Sequence, residues 1–220
     1  MKKGYLFSIT IIIILLLLIL ISLLYYYIHS VKINIDKIFS ISDFDNDGIV
    51  DSEEFIIGAR KEVKNKTSYV NKYYADGYPP NNEGVCTDVV WRAFWEAGYV
   101  LREMVDNDIR EHIDEYYWIE NIDNNIDFRR VRNLEVFFDR YAKSLTIEII
   151  PNDPANLVQW QGGDLVIFGE YEHIAIISDK RNPKGIPYII HNSSTYAKEE
   201  DALILLKNIQ GITKHYRFSE

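Results

Sequence analysis

The stretch Gly84-Val85-Cys86-Thr87-Asp88-Val89-Val90-Trp91-Arg92-Ala93-Phe94-Trp95-Glu96-Ala97-Gly98 places the chain's one cysteine at the start of a predicted helix. Apolar residues recur at helical spacing at positions 89, 90, 93, 94 and 97, and Gly98 is a natural stop. Extending this stripe backwards by one turn puts Cys86 on the buried side. The helix dipole favours a thiolate there, whereas most lone cysteines are small buried hydrophobes. The rest of the chain must decide between these two roles.

The N-terminus carries an apolar run from Tyr5 to about Ile28. This run is long enough to cross a hydrocarbon core of roughly 30 Å as a helix, and no small-residue cleavage signal follows it. Lys2 and Lys3 on its short side favour a cytoplasmic N-terminus. We therefore predict that residues 1–29 form an uncleaved signal anchor, a single transmembrane helix, with the remainder extracytoplasmic. Secretion after cleavage is the alternative.

The charge of the remaining chain limits its partners. Residues 29–220 hold all 33 Asp and Glu and 22 of the 24 Lys and Arg, a formal net charge of 22 − 33 = −11. Such a surface repels nucleic acid and anionic lipid headgroups, so we expect no nucleic-acid partner. The length after the anchor, about 190 residues, suits one compact domain.

An acidic loop at residues 43–54 matches the calcium-binding loop of an EF-hand. Aspartates stand at loop positions one, three, five and nine, glycine at six and glutamate at twelve. Carboxylate oxygens suit Ca²⁺, and Gly48 permits the sharp turn. The predicted ligands are Asp43, Asp45, Asp47, the carbonyl of Ile49, Asp51 and Glu54. An acidic surface loop that only resembles the pattern is the alternative. We predict a structural calcium site, in a helix-loop-helix over residues 30–64 that merges into a body over residues 65–220.

The body has its predicted helices first and its strands afterwards, which is the α+β layout. Helices are expected over about residues 52–64, from Cys86 to about Gly98, and over residues 100–118, with a further one capped by Asn133. The predicted strands are Thr146–Ile150, Asp164–Phe168, His173–Ser178, Pro187–His191, Ala202–Leu206 and Thr213–Phe218. We expect the helices to pack on an antiparallel sheet.

Two of the five histidines are candidate partners for the cysteine. A cysteine hydrolase needs a base beside its thiol and a polar group that orients the base. His173 opens one predicted strand and His191 ends the next. If these strands pair antiparallel, the two histidines are neighbours at one rim of the sheet. Either histidine alone is better explained as a satisfied half-buried residue, but the pair favours catalysis.

The order of these motifs resembles that of the NlpC-type papain-like cell-wall peptidases. It resembles more closely a bacterial family of unknown function numbered 1287, which is grouped with that superfamily. The matching pieces lie between about residues 60 and 218 and include Gly84-Val85-Cys86-Thr87-Asp88, Asn125-Ile126-Asp127-Phe128-Arg129-Arg130-Val131, Gly163-Asp164-Leu165-Val166, His173-Ile174-Ala175-Ile176-Ile177-Ser178-Asp179, His191-Asn192 and His215-Tyr216-Arg217.

The resemblance implies a papain-like fold and hydrolysis of peptide bonds in peptidoglycan stems. It implies Cys86 as nucleophile, His173 as base and His191 as the orienting residue, with no catalytic cofactor. The anchor and the acidic loop are not part of the family's usual layout.

Three further residues are candidate substrate contacts. Arg129 and Arg130 could each bind a stem-peptide carboxylate through a bidentate contact. The sequence is equally compatible with each being a solvated or ion-paired loop arginine. Trp160 could line the cleft, although packing is the better default. Asp88, in the first helical turn, is better explained as a structural cap.

The predicted function is therefore that of a membrane-anchored, calcium-ordered cysteine peptidase or amidase acting on the cell wall. Two alternatives remain open. The same Cys–His site could transfer an acyl group, or the chain could be a catalytically inactive, calcium-dependent wall-binding module.

Overall fold

The N-terminal apolar run forms helix α1, Lys2–Ser30. The computed structural model describes the backbone of residues 2–30, 33–38 and 41–218, and side-chain environments for 11–25, 33–38 and 41–218. Within these described residues, no helix is long and apolar enough to cross a membrane. The predicted anchor over residues 1–29, whose Met1 lies outside the described residues, thus receives no support from the structure.

The body alternates helices with a mainly antiparallel set of strands. Its helices are α2 Asp51–Asn65, α3 Cys86–Glu96, α4 Leu101–Glu111, α5 Val131–Tyr141, α6 Pro154–Leu157 and α7 Leu203–Gln210, with 3-10 turns at Ile113–Tyr116 and Asp127–Arg129. Its strands are β1 Ser68–Tyr69, β2 Glu83–Gly84, β3 Lys143–Ser144, β4 Leu165–Phe168, β5 His173–Arg181, β6 Pro187–His191, β7 Lys198–Glu200 and β8 Ile212–Arg217. β1 and β2 form a short parallel pair.

Six strands form one sheet in the order β3-β8-β4-β5-β6-β7. Every neighbouring pair in this sheet is antiparallel. The predicted α+β class, with helices and an antiparallel sheet, is confirmed. So is the predicted pairing of the two strands that carry His173 and His191.

Alternation along the strands divides the core between the two faces of the sheet. On one face Ile174 and Ile176 pack in a cluster with Cys86 and the apolar stripes of α2, α3 and α5. On the other face Ala175 and Ile177 pack with Trp160, Leu203 and other buried residues. A strand covered on both faces is apolar along its length, which explains the uninterrupted apolar runs in β4 and β5.

Helices α2 and α3 cross at very close range, which fixes the cysteine helix. A Cβ atom on Gly58 of α2 would lie 2.8 Å from the Cα of Ala93 in α3. Any side chain at position 58 would therefore force the two helices apart. Phe55 and Phe94 stack across this interface with ring centroids 4.5 Å apart.

Five predictions of local structure are wrong. The helix-loop-helix predicted over residues 30–64 lacks its incoming helix, because residues 33–38 and 41–50 are not helical and only α2 follows the loop. The helix predicted over residues 100–118 ends at Glu111, and a 3-10 turn follows at Ile113–Tyr116.

Ala202–Leu206 begins helix α7 instead of forming a strand, because a short apolar run with strong helix formers fits either structure. Residues 145–150 are irregular, and the neighbouring strand β3 is only Lys143–Ser144. Asn133 lies inside α5, where its side-chain amide donates to the carbonyl of Asp127 at 3.1 Å instead of capping the helix.

Candidate active site

Cys86 is the first residue of α3, and its neighbour Asp88 fixes that helix start. Val85, in extended conformation, precedes the helix, and its N–H donates to the Asp88 carboxylate at 2.7 Å. Asp88 thus acts as the predicted structural cap. The first N–H groups of a helix have no partner within the helix, so this end concentrates partial positive charge around the thiol. The Cys86 side chain itself is buried.

Asn192 connects the approach to Cys86 with the sheet. Its side-chain amide donates to the carbonyl of Gly84, two residues before the cysteine, and to the carbonyl of Thr67, both at 3.1 Å. Asn192 directly follows His191 at the end of β6. The segment that delivers the thiol is therefore tied to the strand end that carries the second histidine.

His173, His191 and Glu200 form a chain of hydrogen bonds. Nε2 of His173 lies 2.7 Å from Nδ1 of His191, and Nε2 of His191 lies 2.9 Å from Oε1 of Glu200. The two histidines are buried, and Glu200 lies on the adjacent strand β7. The predicted adjacency of His173 and His191 is thus observed, and Glu200 extends it by one group.

The carboxylate at the end of this chain sets the proton positions. An ionised Glu200 can only accept, so Nε2 of His191 must carry a proton and Nδ1 of a neutral His191 must accept. His173 then donates through Nε2, and its Nδ1 is left with a free lone pair. This tautomer makes Nδ1 of His173 the atom that can act as a base.

The thiol packs on β5 close to the residue that carries this base. Cys86 and Ile174, the residue that follows His173, belong to the same buried cluster, and the backbone of Ile174 acts to lower the pKa of Cys86. Burial raises the pKa of Cys86 to about 11, although hydrogen bonds from Ile174, Thr87 and its own backbone oppose that rise. Burial, followed by the proximity of His191, lowers the pKa of His173 to about 3. Burial also lowers the pKa of His191, against the effect of Glu200. Both shifts favour the uncharged forms, a neutral thiol and a neutral imidazole.

The structure corrects the predicted role of Arg129. Its guanidinium is buried and makes a bidentate ion pair with Asp88, with Nε–Oδ1 at 2.7 Å and Nη2–Oδ2 at 2.9 Å. Its Nη1 donates to the carbonyl of Lys72. With its donors engaged by the protein, Arg129 braces the cysteine helix and does not present a substrate contact. Arg130 has a half-exposed side chain 3.9 Å from Asp127, so its guanidinium stays accessible.

The predicted role of Trp160 as a residue lining the cleft is also wrong. It is fully buried and stacks on His215 with ring centroids 3.8 Å apart, in the cluster on the face of the sheet away from Cys86. Its indole N–H donates to the carbonyl of Glu148. Trp160 is therefore a packing residue and not part of a cleft at the cysteine.

The acidic loop gathers three of the predicted metal ligands. Carboxylate oxygens of Asp43, Asp45 and Asp47 lie within 4.8 Å of one another. Gly48 has φ of +95°, as the sharp turn requires. Glu54 is buried with its Oε2 lacking a hydrogen-bond partner within the described residues. Burial, reinforced by Asp45 and Asp47, raises the pKa of Glu54 to about 7. An unpartnered buried oxygen on Glu54, which feels the charges of Asp45 and Asp47, fits the donor set of a hard cation.

Asp51 and Ile49 are placed differently from these four. Asp51 begins α2, and its carboxylate accepts from the N–H of Phe44, the hydroxyl of Ser42 and the hydroxyl of Tyr99. The Asp51 carboxylate is thus engaged by protein donors, and its hydrogen bonds stabilise the conformation of the loop. Ile49 follows the aspartate cluster, and its N–H donates to Asp47 at 2.7 Å.

The acidic loop docks against the end of the cysteine helix. The ring of Phe44 stacks on Tyr99 with centroids 4.1 Å apart, directly after Gly98. A Cβ on Gly98 would lie 2.8 Å from the Cβ of Asp45. The loop and the thiol therefore lie at opposite ends of the same helix.

The sequence analysis did not identify two residues of the site, Glu200 and Asn192. Glu200 lies on β7, whose sequence Lys-Glu-Glu gives no strand signal, so nothing in the pattern linked it to His191. Asn192 had one signal, its position directly after His191, but its contact with Gly84 depends on the fold.

The chain belongs to the family described as Domain of unknown function (DUF1287), which matches residues 56–218. A relative from Escherichia coli (strain K12), "Uncharacterized protein YijF", is 33% identical over 171 residues, covering 73% of this chain and 78% of the relative. No solved structure gives a significant match. The predicted membership of the family numbered 1287 is confirmed. Cys86, His173, His191 and Glu200 all fall within the matched range, whereas the acidic loop precedes it.

Proposed function

We propose that this protein is a cysteine peptidase or amidase that hydrolyses peptide bonds in cell-wall peptidoglycan. The observation that carries the proposal is the hydrogen-bonded chain from His173 through His191 to Glu200, on a sheet against which the helix that begins with Cys86 packs. A nucleophile, an oriented base and a carboxylate that fixes the base's tautomer are the parts that acyl-transfer chemistry requires.

The resting protonation state makes His173 a general base. As Cys86 attacks the substrate carbonyl, Nδ1 of His173 accepts the thiol proton, so a carbon–sulfur bond forms while the S–H bond breaks. His191 and Glu200 stabilise the imidazolium that forms. That proton then passes to the leaving amine as the carbon–nitrogen bond breaks. Water, deprotonated by His173, finally cleaves the thioester and releases the thiol and a carboxylic acid.

The helix start supports the charged intermediate of this reaction. Negative charge develops on the carbonyl oxygen after attack, and unpaired N–H groups at a helix N-terminus are suited to bind it. We assign the N–H of Cys86 as one such donor. The buried pair of Asp88 and Arg129 keeps this end of α3 in place through the reaction.

The finer fold and substrate assignments rest on resemblance. A cysteine on a helix, packed against an antiparallel sheet whose strands carry two histidines, resembles the expected layout of an NlpC-type papain-like domain and supports that assignment. Peptidoglycan stems as the substrate follow from that resemblance, and they require the body to lie outside the cytoplasm, as the sequence analysis predicts.

Calcium is proposed to order the end of the cysteine helix. Asp43, Asp45, Asp47 and Glu54 would hold the ion through carboxylate oxygens, and Ile49 would add its carbonyl. The ion supplies positive charge that offsets the crowding of these carboxylates. Stacking of Phe44 on Tyr99 links the loop to the segment that follows α3, so calcium would stabilise the end of the helix that carries Cys86.

The test is digestion of purified muropeptides with product masses measured by mass spectrometry. Wild type should give fragments whose summed mass exceeds that of the intact muropeptide by one water. Cys86→Ala should give no fragments, while its circular dichroism spectrum and melting curve stay those of wild type. Undiminished hydrolysis by Cys86→Ala would reject the proposal. Products joined to an added amine in place of water would identify an acyltransferase.

The burial and high pKa of Cys86 favour one alternative, a catalytically inactive wall-binding module. In that case the wild type binds peptidoglycan but releases no fragments. Equal binding by wild type and Cys86→Ala, without products from either protein, would support this alternative.

A further inference from the structure

The outer side of α3 bears an aromatic groove that the thiol chemistry does not use. The groove has a volume of about 530 Å³ and lies between α2, the turn before β2 and α3. Tyr78, Trp91 and Trp95 form its aromatic wall. Trp95 is 55% exposed, although an indole ring of this size is usually buried. An exposed tryptophan in a concave site suggests contact with a ligand.

The aromatic wall is held rigid by contacts among its own rings and by Phe128 and Asp88 behind it. The ring of Tyr78 lies 4.8 Å from Trp91, 6.1 Å from Trp95 and 5.5 Å from Phe128, between ring centroids. The indole N–H of Trp91 donates to Asp88 at 2.8 Å. These rings therefore lose little conformational freedom when a ligand binds, which lowers the entropic cost of binding.

The charged side chains along the groove are neutralised by one another. Lys61 donates to Glu96 at 2.7 Å, and Arg92 pairs with Glu62. Arg92 also donates to the carbonyl of Glu83 at 3.0 Å. The groove therefore offers ring faces and a polar rim with balanced charge, which suits an uncharged ligand better than an anionic or cationic one.

We propose that this groove binds a neutral glycan strand. A pyranose ring presents C–H groups on its face and hydroxyls at its edge. The face packs on the indole of Trp95, while the edge hydroxyls reach the amide side chains of Asn65 and Asn81 on the rim. This binding goes beyond the proposed hydrolysis and does not depend on the reactivity of Cys86.

The position of the groove relates glycan binding to the candidate active site. Trp95 follows Cys86 by nine positions in the same helix, which is about 14 Å along the axis at 1.5 Å per residue. Trp91 also shares Asp88 with the network that holds the helix start. At about 100° per residue, nine positions also place Trp95 on the side of α3 opposite Cys86, so the groove is connected to the candidate active site through the helix and Asp88 and not by direct contact with the thiol.

The experiment is calorimetric titration of the wild-type protein with the hexamer of N-acetylglucosamine. This probe has no peptide bond, so its binding is independent of hydrolysis. We expect saturable binding by wild type, a loss of about fivefold or more in affinity for Trp95→Ala, and a smaller loss for Trp95→Phe. Tyr117→Ala removes another exposed aromatic outside the groove and should bind as wild type does.

Three results would overturn the proposal. They are absence of binding by wild type at millimolar probe, equal affinity of wild type and Trp95→Ala, and equal losses for Trp95→Ala and Tyr117→Ala. Self-association of wild type that Trp95→Ala abolishes, without any glycan binding, would assign the groove to a second copy of the chain. Failure of glycan binding would leave the muropeptide digestion unaffected, so the two proposals fail separately.

Discussion

Nε2 of His173 lies 2.7 Å from Nδ1 of His191, so one imidazole orients the other directly. The second imidazole is held in turn by Glu200 at 2.9 Å. This order fixes which nitrogen of His173 is free to accept a proton. It also explains how two buried histidines coexist: neither needs to be charged, and each finds a partner for its N–H.

Removing the second imidazole should impair turnover more than substrate binding. His191→Ala leaves His173 without its orienting acceptor, and we expect kcat to fall about 100-fold or more with KM little changed. Glu200→Gln should give a smaller fall, because an amide still accepts from His191. Muropeptide kinetics measure both effects.

Glu199→Gln is the matched control for this series. The carboxylate of Glu199 pairs with Arg60 and accepts from Ser178 instead of from a histidine. Its loss should lower the melting temperature and spare kcat. An equal fall in kcat for Glu199→Gln and Glu200→Gln would contradict the assignment of Glu200.

The reactivity of Cys86 should increase with pH well beyond neutrality. Alkylation requires the thiolate, and burial raises the pKa of Cys86 to about 11. The thiolate fraction therefore grows about tenfold per pH unit between pH 7 and 10. Mass spectrometry after timed treatment with iodoacetamide measures the rate. A plateau between pH 6 and 8 would show instead a thiolate paired with a protonated His173.

Calcium should raise thermal stability through the acidic loop. A cation that binds only the folded state stabilises it by about 2.7 kcal/mol at 100 times its dissociation constant. Melting curves with calcium and with chelator should therefore differ, and Glu54→Gln should remove most of the difference. Glu53→Gln changes an exposed neighbour that pairs with Lys37 and should keep it. Identical curves for wild type with and without chelator would remove calcium from the proposal.

Substitutions of the adjacent residues Arg129 and Arg130 should change the free energy of unfolding by very different amounts. Arg129→Ala leaves the buried carboxylate of Asp88 without its ion-pair partner, which costs about 3–5 kcal/mol of unfolding free energy. Arg130→Ala removes a half-exposed side chain and should change that free energy by less than about 0.5 kcal/mol. Urea unfolding measures both. Similar small losses for the two variants would mean that the pair does not brace the helix.

Local periodicity was enough to predict the main elements. Cys86 as the first residue of its helix, the α+β order and strand β6 all follow from the spacing of apolar residues and turn signals. Periodicity fails where it is ambiguous or absent. The run at Leu203 fits a helix or a strand, and Lys198–Glu200 is a strand only because β6 pairs with it.

The sequence by itself determined which chemical groups this protein can use. One thiol at a helix start, two histidines at adjacent strand ends and a spaced set of carboxylates are local facts, because each depends on positions close together in the chain. Tertiary structure decided which contacts those groups make and how deeply they are buried. It brought Glu200 to His191, directed Arg129 to Asp88, buried Trp160 on the far face of the sheet, and raised the pKa of Cys86. Burial and long-range hydrogen bonds arise only when distant segments pack, so no local pattern encodes them.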